Sequence, residues 1–129
     1  IHLIKKNLDK VDWNQLSLNP NAIHLLEQNQ DKINWINLSE NPNGIILLVN
    51  NPLKINWSNL SLNPKAITLL KMTEHRINWS KLSRNPQAIP ILKKNLDKVS
   101  WEHLSSNPSA IVLLQQNWSK IHWIRSKRS

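Results

Sequence analysis

Asn107-Pro108-Ser109-Ala110-Ile111-Val112-Leu113-Leu114 has four earlier counterparts in this chain, beginning at Asn19, Asn41, Asn63 and Asn85, each 22 residues after the last. A tryptophan keeps the same interval at Trp13, Trp35, Trp57, Trp79, Trp101 and Trp123. Between each Trp and the next Asn-Pro stands Leu-Ser: Leu16-Ser17, Leu38-Ser39, Leu60-Ser61, Leu82-Ser83 and Leu104-Ser105. The unit reads W-x-x-L-S-x-N-P-x-A-I-x-L-L-x-x-N-x-x-K-I-x. An internal period of this size marks a stacked repeat, so an all-α solenoid is the fold class to expect.

Within a unit, Asn19 suits a helix N-cap and Pro20 the first helical position, where its missing N–H costs nothing. Ala22, Ile23, Leu25 and Leu26 then place apolar groups on one helical face, predicting an α-helix of about nine residues. Asn29 is the candidate left-handed residue that closes it. A second, shorter element begins at each Trp. Asp12, Asn34, Asn56, Asn78 and Ser100 are its N-cap candidates, and pairs such as Ile33 with Leu38 form a hydrophobic staple. The next Asn-Pro comes too soon for a long helix, so one or two turns, or a 3-10 turn, are expected. The alternative is an extended run over residues 32–35. Pro90 should delay or kink the helix of its repeat, and Thr73 in place of the closing Asn adds a second irregularity.

The whole chain, 1–129, therefore reads as one solenoid of about six 22-residue units, with a part-unit at 1–9 and a basic end at 124–129. Ile1-His2-Leu3-Ile4 aligns with the middle of a unit. A repeat end needs a polar cap, so further repeats preceding residue 1, or processing of the chain, are expected.

Composition narrows the class. Hydrophobic residues make up 40% of the chain, enough for a core. There is no cysteine, hence no disulfide and no thiolate chemistry. The longest apolar runs are far short of a membrane span, and no secretory leader pattern opens the sequence. Asn-x-Ser sequons at Asn37, Asn56, Asn59, Asn78 and Asn117 adjoin expected core residues, where a glycan would oppose packing. An intracellular, non-secreted protein is the expectation. The net charge of +9 is uneven: residues 1–49 carry four basic and five acidic side chains, residues 50–129 thirteen and three. The later part is the one that would attract an anionic partner.

The W-x-x-L-S-x-N-P-x-A-I-x-L-L-x-x-N pattern resembles the tryptophan-repeat proteins of large DNA viruses, entomopoxviruses and giant viruses among them. The likeness runs from Ile1 to Trp123, and the abundance of Asn, Ile and Lys, all with AT-rich codons, is compatible with such an origin. The resemblance implies a repeat module in a viral setting and carries over no catalytic residue. The architecture is also similar to the short helical solenoid of leucine-rich repeat variants, by analogy alone.

Two features carry candidate chemistry. The six periodic tryptophans are either stacking platforms for bases or a structural core column, one large apolar group per repeat. The staple partners beside them favour the core. Repeats packed at helix-packing distances, roughly 10 Å, hold the rings too far apart to stack on each other. Trp118 lies off the period and is a candidate exposed contact. Lys10, Lys32, Lys54, Arg76, Lys98 and Lys120 occupy one repeat position and should line one edge. Either that edge is a solvated surface, with Asp9, Asp31 and Asp97 just before three of its rungs, or it tracks a phosphate backbone. Lys65, Lys81, Arg84, Lys93 and Lys94, with Lys71, thicken the basic surface of the middle repeats.

The Asn columns could in principle read bases, one per repeat, but capping accounts for them. His2, His24, His75, His103 and His122 give no metal-ligand spacing. With one glycine there is no phosphate loop, and no nucleophile–base pair is visible. No cofactor or metal is expected. The positions that vary between units, 21, 24, 27 and 28 with their copies on the longer helix and 14, 15 and 18 on the shorter element, suit protein recognition. The first expectation is a non-enzymatic scaffold for protein interaction or assembly, and the alternative is a nucleic-acid or phosphate binder using the basic edge.

Overall fold

The computed structural model describes residues 8–119 and 121, and among them every regular element is helical. The part-unit at 1–7, Lys120, Trp123 and the basic end at 124–129 lie outside the described residues.

Each unit contains three short helices, one more than its sequence suggests. The first opens on Trp: Trp13–Leu16, Trp35–Glu40, Trp57–Leu60, Trp79–Leu82 and Trp101–Leu104. The second opens on Ile: Ile23–Glu27, Ile45–Asn50, Ile67–Met72, Ile89–Lys93 and Ile111–Gln116. The third is a 3-10 turn ending on the basic residue: Leu8–Lys10, Gln30–Lys32, Pro52–Lys54, Glu74–Arg76 and Leu96–Lys98. Residues 33 and 34 are extended only as the hinge between a 3-10 turn and the next Trp-led helix. The extended alternative for residues 32–35 is not realised.

The Trp-led helix starts as its capping residues require. Asp12, Asn34, Asn56 and Asn78 each accept a hydrogen bond from the backbone N–H three residues on. Ser100 instead pairs its hydroxyl with His103 Nδ1 at 2.6 Å. The Ile-led helix is shorter than expected, five or six residues instead of about nine, because Asn-Pro does not start it. Ala22 is its N-cap, at φ −102° and ψ 7°, and Asn19-Pro20-Asn21 form a turn in front of it. In that turn the Asn carboxamide accepts from the N–H two residues on, as Asn41 does from Asn43 N at 3.0 Å.

The same misplacement explains Pro90. With the helix beginning at Ile89, Pro90 sits in its first turn, where no amide is needed, and the helix starts no later than its counterparts. The closing Asn is also not left-handed. Asn51, Asn95 and Thr73 share φ between −133° and −136°, and no described non-Gly residue has positive φ. Their side chains donate to the carbonyl four residues back, at 2.9 Å for Asn51 to Leu47 and 2.8 Å for Thr73 to Leu69. Thr73 does the work of Asn, so its repeat is regular.

Helices of four to six residues cannot persist alone in water. In the three middle units they are held by two fully buried leucines each, Leu38 and Leu48, Leu60 and Leu70, and Leu82 and Leu92, with Leu26 and Leu104 the equivalents in the outer two. Each contributes about 1.5–3 kcal/mol by burial. A polar spine binds each unit to the one before. Asn41, Asn63, Asn85 and Asn107 are buried, and each Nδ2 donates to two carbonyls of the preceding unit, 22 and 24 residues back. The serines form a second line: Ser39 Oγ donates to Trp35 O at 2.8 Å and accepts from Asn56 N at 3.0 Å. Ser17, Ser61 and Ser83 do the same with the units that follow them. No buried side-chain polar atom among the described residues lacks a partner.

Candidate functional site

The basic rungs and the tryptophans, separate features in the sequence, meet in the structure. Lys32 Nζ lies over the ring of Trp13 at 5.9 Å from its centroid, and Lys54 over Trp35 at 5.8 Å. The Arg76 guanidinium lies over Trp57 at 5.1 Å, and Lys98 over Trp79 at 5.3 Å. Every pair spans 19 residues and joins the Trp that opens a unit to the basic residue that ends the same unit's 3-10 turn. The 3-10 turn makes this possible: the unit's three helices bring its last element back beside its first.

These four cations are exposed, and Trp13, Trp35, Trp57 and Trp79 are half-buried, packed against the core on one side. Among the described tryptophans Trp101 alone is within the core, at 9% exposure. The core-column expectation thus holds for one side of the rings, while the other side is covered by a side chain. An exposed cation–π contact contributes about 0.5–1 kcal/mol, so each cover is weak enough to be displaced.

The other basic residues stand on other elements of the middle units. Lys81 belongs to a Trp-led helix and donates to Asn59 Oδ1 at 3.3 Å, one unit back. Lys65 stands in an Asn-Pro turn and donates to Asn43 Oδ1 at 3.4 Å. Arg84 follows a Trp-led helix, Lys71 and Lys93 lie on Ile-led helices, and Lys94 just after one. Lys71 and Lys94 line a groove with Glu74, which shares its 3-10 turn with Arg76. Lys10 is exposed.

The Ile-led helices present the second candidate surface. Leu47 and Leu48 are buried, whereas Ile46 is 72% exposed, Met72 76% and Val112 58%. The Ile46 and Val112 position holds His24, Thr68 and Pro90 in the other units. Trp118 is exposed at 60%. A shallow groove between the Ile-led helices of neighbouring units is lined by Lys71, Glu74, Pro90, Ile91, Lys94 and Asn95. It holds one carboxylate among two lysines and no nucleophile.

Of the Asn column expected as N-caps, Asn41, Asn63, Asn85 and Asn107 are buried with both amide hydrogens committed to neighbouring carbonyls, which leaves those four nothing to offer a base. His24 contacts Gln28, and His103 contacts Ser100. Among the described residues no group of three or more His, Cys, Asp or Glu could hold a metal ion, and no helix is long and apolar enough to cross a membrane.

Comparison with known proteins adds no relative: no family matches the chain, and no curated protein or solved structure does.

Proposed function

We propose that this chain is a helical-repeat solenoid acting as a non-enzymatic scaffold, which binds a protein partner through the exposed, variable positions of its Ile-led helices. The repeated hydrogen-bond register supports the solenoid: 17, 22 and 24 residues separate donor from acceptor at every described junction of units from Asn34 to Asn107. A constant register stacks units by a constant step. The residues that recur most faithfully are thereby used up in stacking.

The observation that carries the reading is the exposure of Ile46, Met72 and Val112 beside fully buried leucines on the same helices. Exposed apolar side chains recurring on one type of helix are the kind of surface a protein partner can use. Their variation from unit to unit is what partner specificity needs. The resemblance to viral tryptophan-repeat proteins supports an intracellular, viral setting.

A photo-crosslinking residue at position 46 or 112 tests this, with position 58 on a Trp-led helix as the comparison. In cells producing the chain, one discrete adduct is expected from 46 and 112 and none from 58. The adduct should disappear when Met72 is changed to Asp. Equal labelling from all three positions, or none from 46 and 112, refutes the reading.

A further inference from the structure

We propose that the ladder of cation-covered tryptophans is a binding edge for a single-stranded nucleic acid. Bases would stack on Trp13, Trp35, Trp57 and Trp79, and the displaced cations would meet the phosphates. This edge is made by different positions of the repeat from the Ile-led face and does not depend on it.

Single-strand recognition without sequence preference needs two groups in alternation: aromatic faces for bases and cations along the backbone. Here both recur once per unit, already in contact, at 5.1–5.9 Å. The rings are rigid because one side is packed into the core, and rigidity reduces the ordering that binding must impose. Over each ring lies the end of one flexible, exposed side chain.

Exchange is favourable in direction. A base on an indole is a stronger contact than an exposed lysine on it. The released cation is not stranded, since every stacked nucleotide brings a phosphate with it. Cover and ligand thus trade places with charge compensated throughout.

The same geometry selects against duplexes. A duplex keeps its bases paired and stacked on one another, so it can offer the ladder phosphates alone. Four rungs neutralised on a single strand would give a log–log salt slope of about −3, from roughly −0.7 per contact. An acidic peptide would bind the cations but leave the indoles without a stacking partner.

The test titrates the whole chain with a fluorescein-labelled 20-mer of thymidine, the matching duplex and polyglutamate, reading anisotropy and tryptophan fluorescence from 20 to 200 mM salt. Expected are binding of the single strand with a slope near −3, saturable quenching of tryptophan, and at least tenfold weaker binding of the duplex and of polyglutamate. The pair Arg76→Gln with Lys98→Gln should weaken single-strand binding at least tenfold. The pair Lys65→Gln with Arg84→Gln removes the same charge off the ladder and should change it less than threefold. Arg76→Lys, which keeps the charge, should bind within threefold and guards against a folding defect. The proposal is overturned by no binding at 20 mM salt, by binding without quenching, by equal losses from the two pairs, or by equal affinity for the duplex or polyglutamate. None of these results bears on crosslinking from positions 46 and 112.

Discussion

The guanidinium of Arg76 lies over the indole of Trp57, 5.1 Å from the ring centroid and 19 residues along the same unit. It is the shortest of the four such contacts, the others being made by lysines at 5.3–5.9 Å. Each contact ties the 3-10 turn that ends a unit to the Trp-led helix that opens it. The Arg76 rung is where this coupling is most easily measured.

A double-mutant cycle of Arg76→Ala and Trp57→Leu should give a coupling of about 0.5–1 kcal/mol in urea denaturation. Leucine preserves the apolar packing of the buried side while removing the π face. Raising the salt from 50 to 500 mM should leave the coupling largely intact, because no opposite charge is being screened. A coupling indistinguishable from zero means the two side chains meet without stabilising the junction.

Asn63 is buried, with both amide hydrogens given to Ser39 O and Asn41 O at 3.0 and 2.8 Å. Asn63→Asp keeps the size but removes the donors and sets a carboxylate against two carbonyl oxygens. A loss of about 3–5 kcal/mol is expected, as when a buried charge loses its partner. Asn19→Asp is the comparison. Asn19 is exposed, and its oxygen accepts from Asn21 N at 2.9 Å, a bond that Asp can still make. Its cost should stay below about 1 kcal/mol. Urea midpoints for the two variants, at unchanged m value, decide this; equal losses would show that the spine does not bear on stability.

These asparagines also show where local sequence rules stop. Asn-Pro before an apolar run has two readings, a helix cap and a turn, because one side-chain oxygen serves both. What decides between them is the pair of carbonyls supplied by the unit before, and no rule applied within a single unit includes those. The short Trp-led helices were legible because Asp12, Asn34, Asn56 and Asn78 act on their own first turn. So were the buried leucines, whose spacing needs only one helix face. The 3-10 turn carries a weaker signal, Pro52 at its first position and the recurring basic residue at its last. The cation–tryptophan pairs were missed although both partners stood out. Their 19-residue offset links the two ends of one unit, and becomes a contact only once the unit's three helices pack together.

Thr73 replaces the asparagine that closes the other Ile-led helices and donates to Leu69 O at 2.8 Å. Thr73→Asn should thus be tolerated, within about 0.5 kcal/mol of the parent. Thr73→Val keeps the branched shape and leaves the carbonyl without its donor, at a cost of about 0.5–1.5 kcal/mol. Thermal denaturation of the pair checks both. If valine is as stable as threonine, the side-chain bond is dispensable and the conserved geometry comes from the backbone alone.

Gly44 takes the N-cap position that Ala22, Ala66, Ala88 and Ala110 hold in the other units. Its φ of −88° and ψ of 0° are open to any residue, so conformation does not require glycine. Space is the constraint: an added Cβ would lie 3.0 Å from both Leu38 Cδ1 and Leu38 O. Among the described units this one alone has a Trp-led helix of six residues, Trp35–Glu40, where the other four run four. The tight approach is thus tied to a longer preceding helix, and alanine elsewhere goes with the shorter form. Gly44→Ala should shift Leu38 by a few tenths of an ångström and draw its helix toward the four-residue form. The lower entropy of the unfolded chain offsets that strain by about 0.4–1 kcal/mol. A net change within about 0.5 kcal/mol of zero is the expected outcome. The amide of Asn41, which donates to Leu38 O at 2.9 Å, should exchange with deuterium faster as that bond is strained. A loss above about 2 kcal/mol would show that the longer helix is fixed by its own sequence and cannot yield to the methyl group.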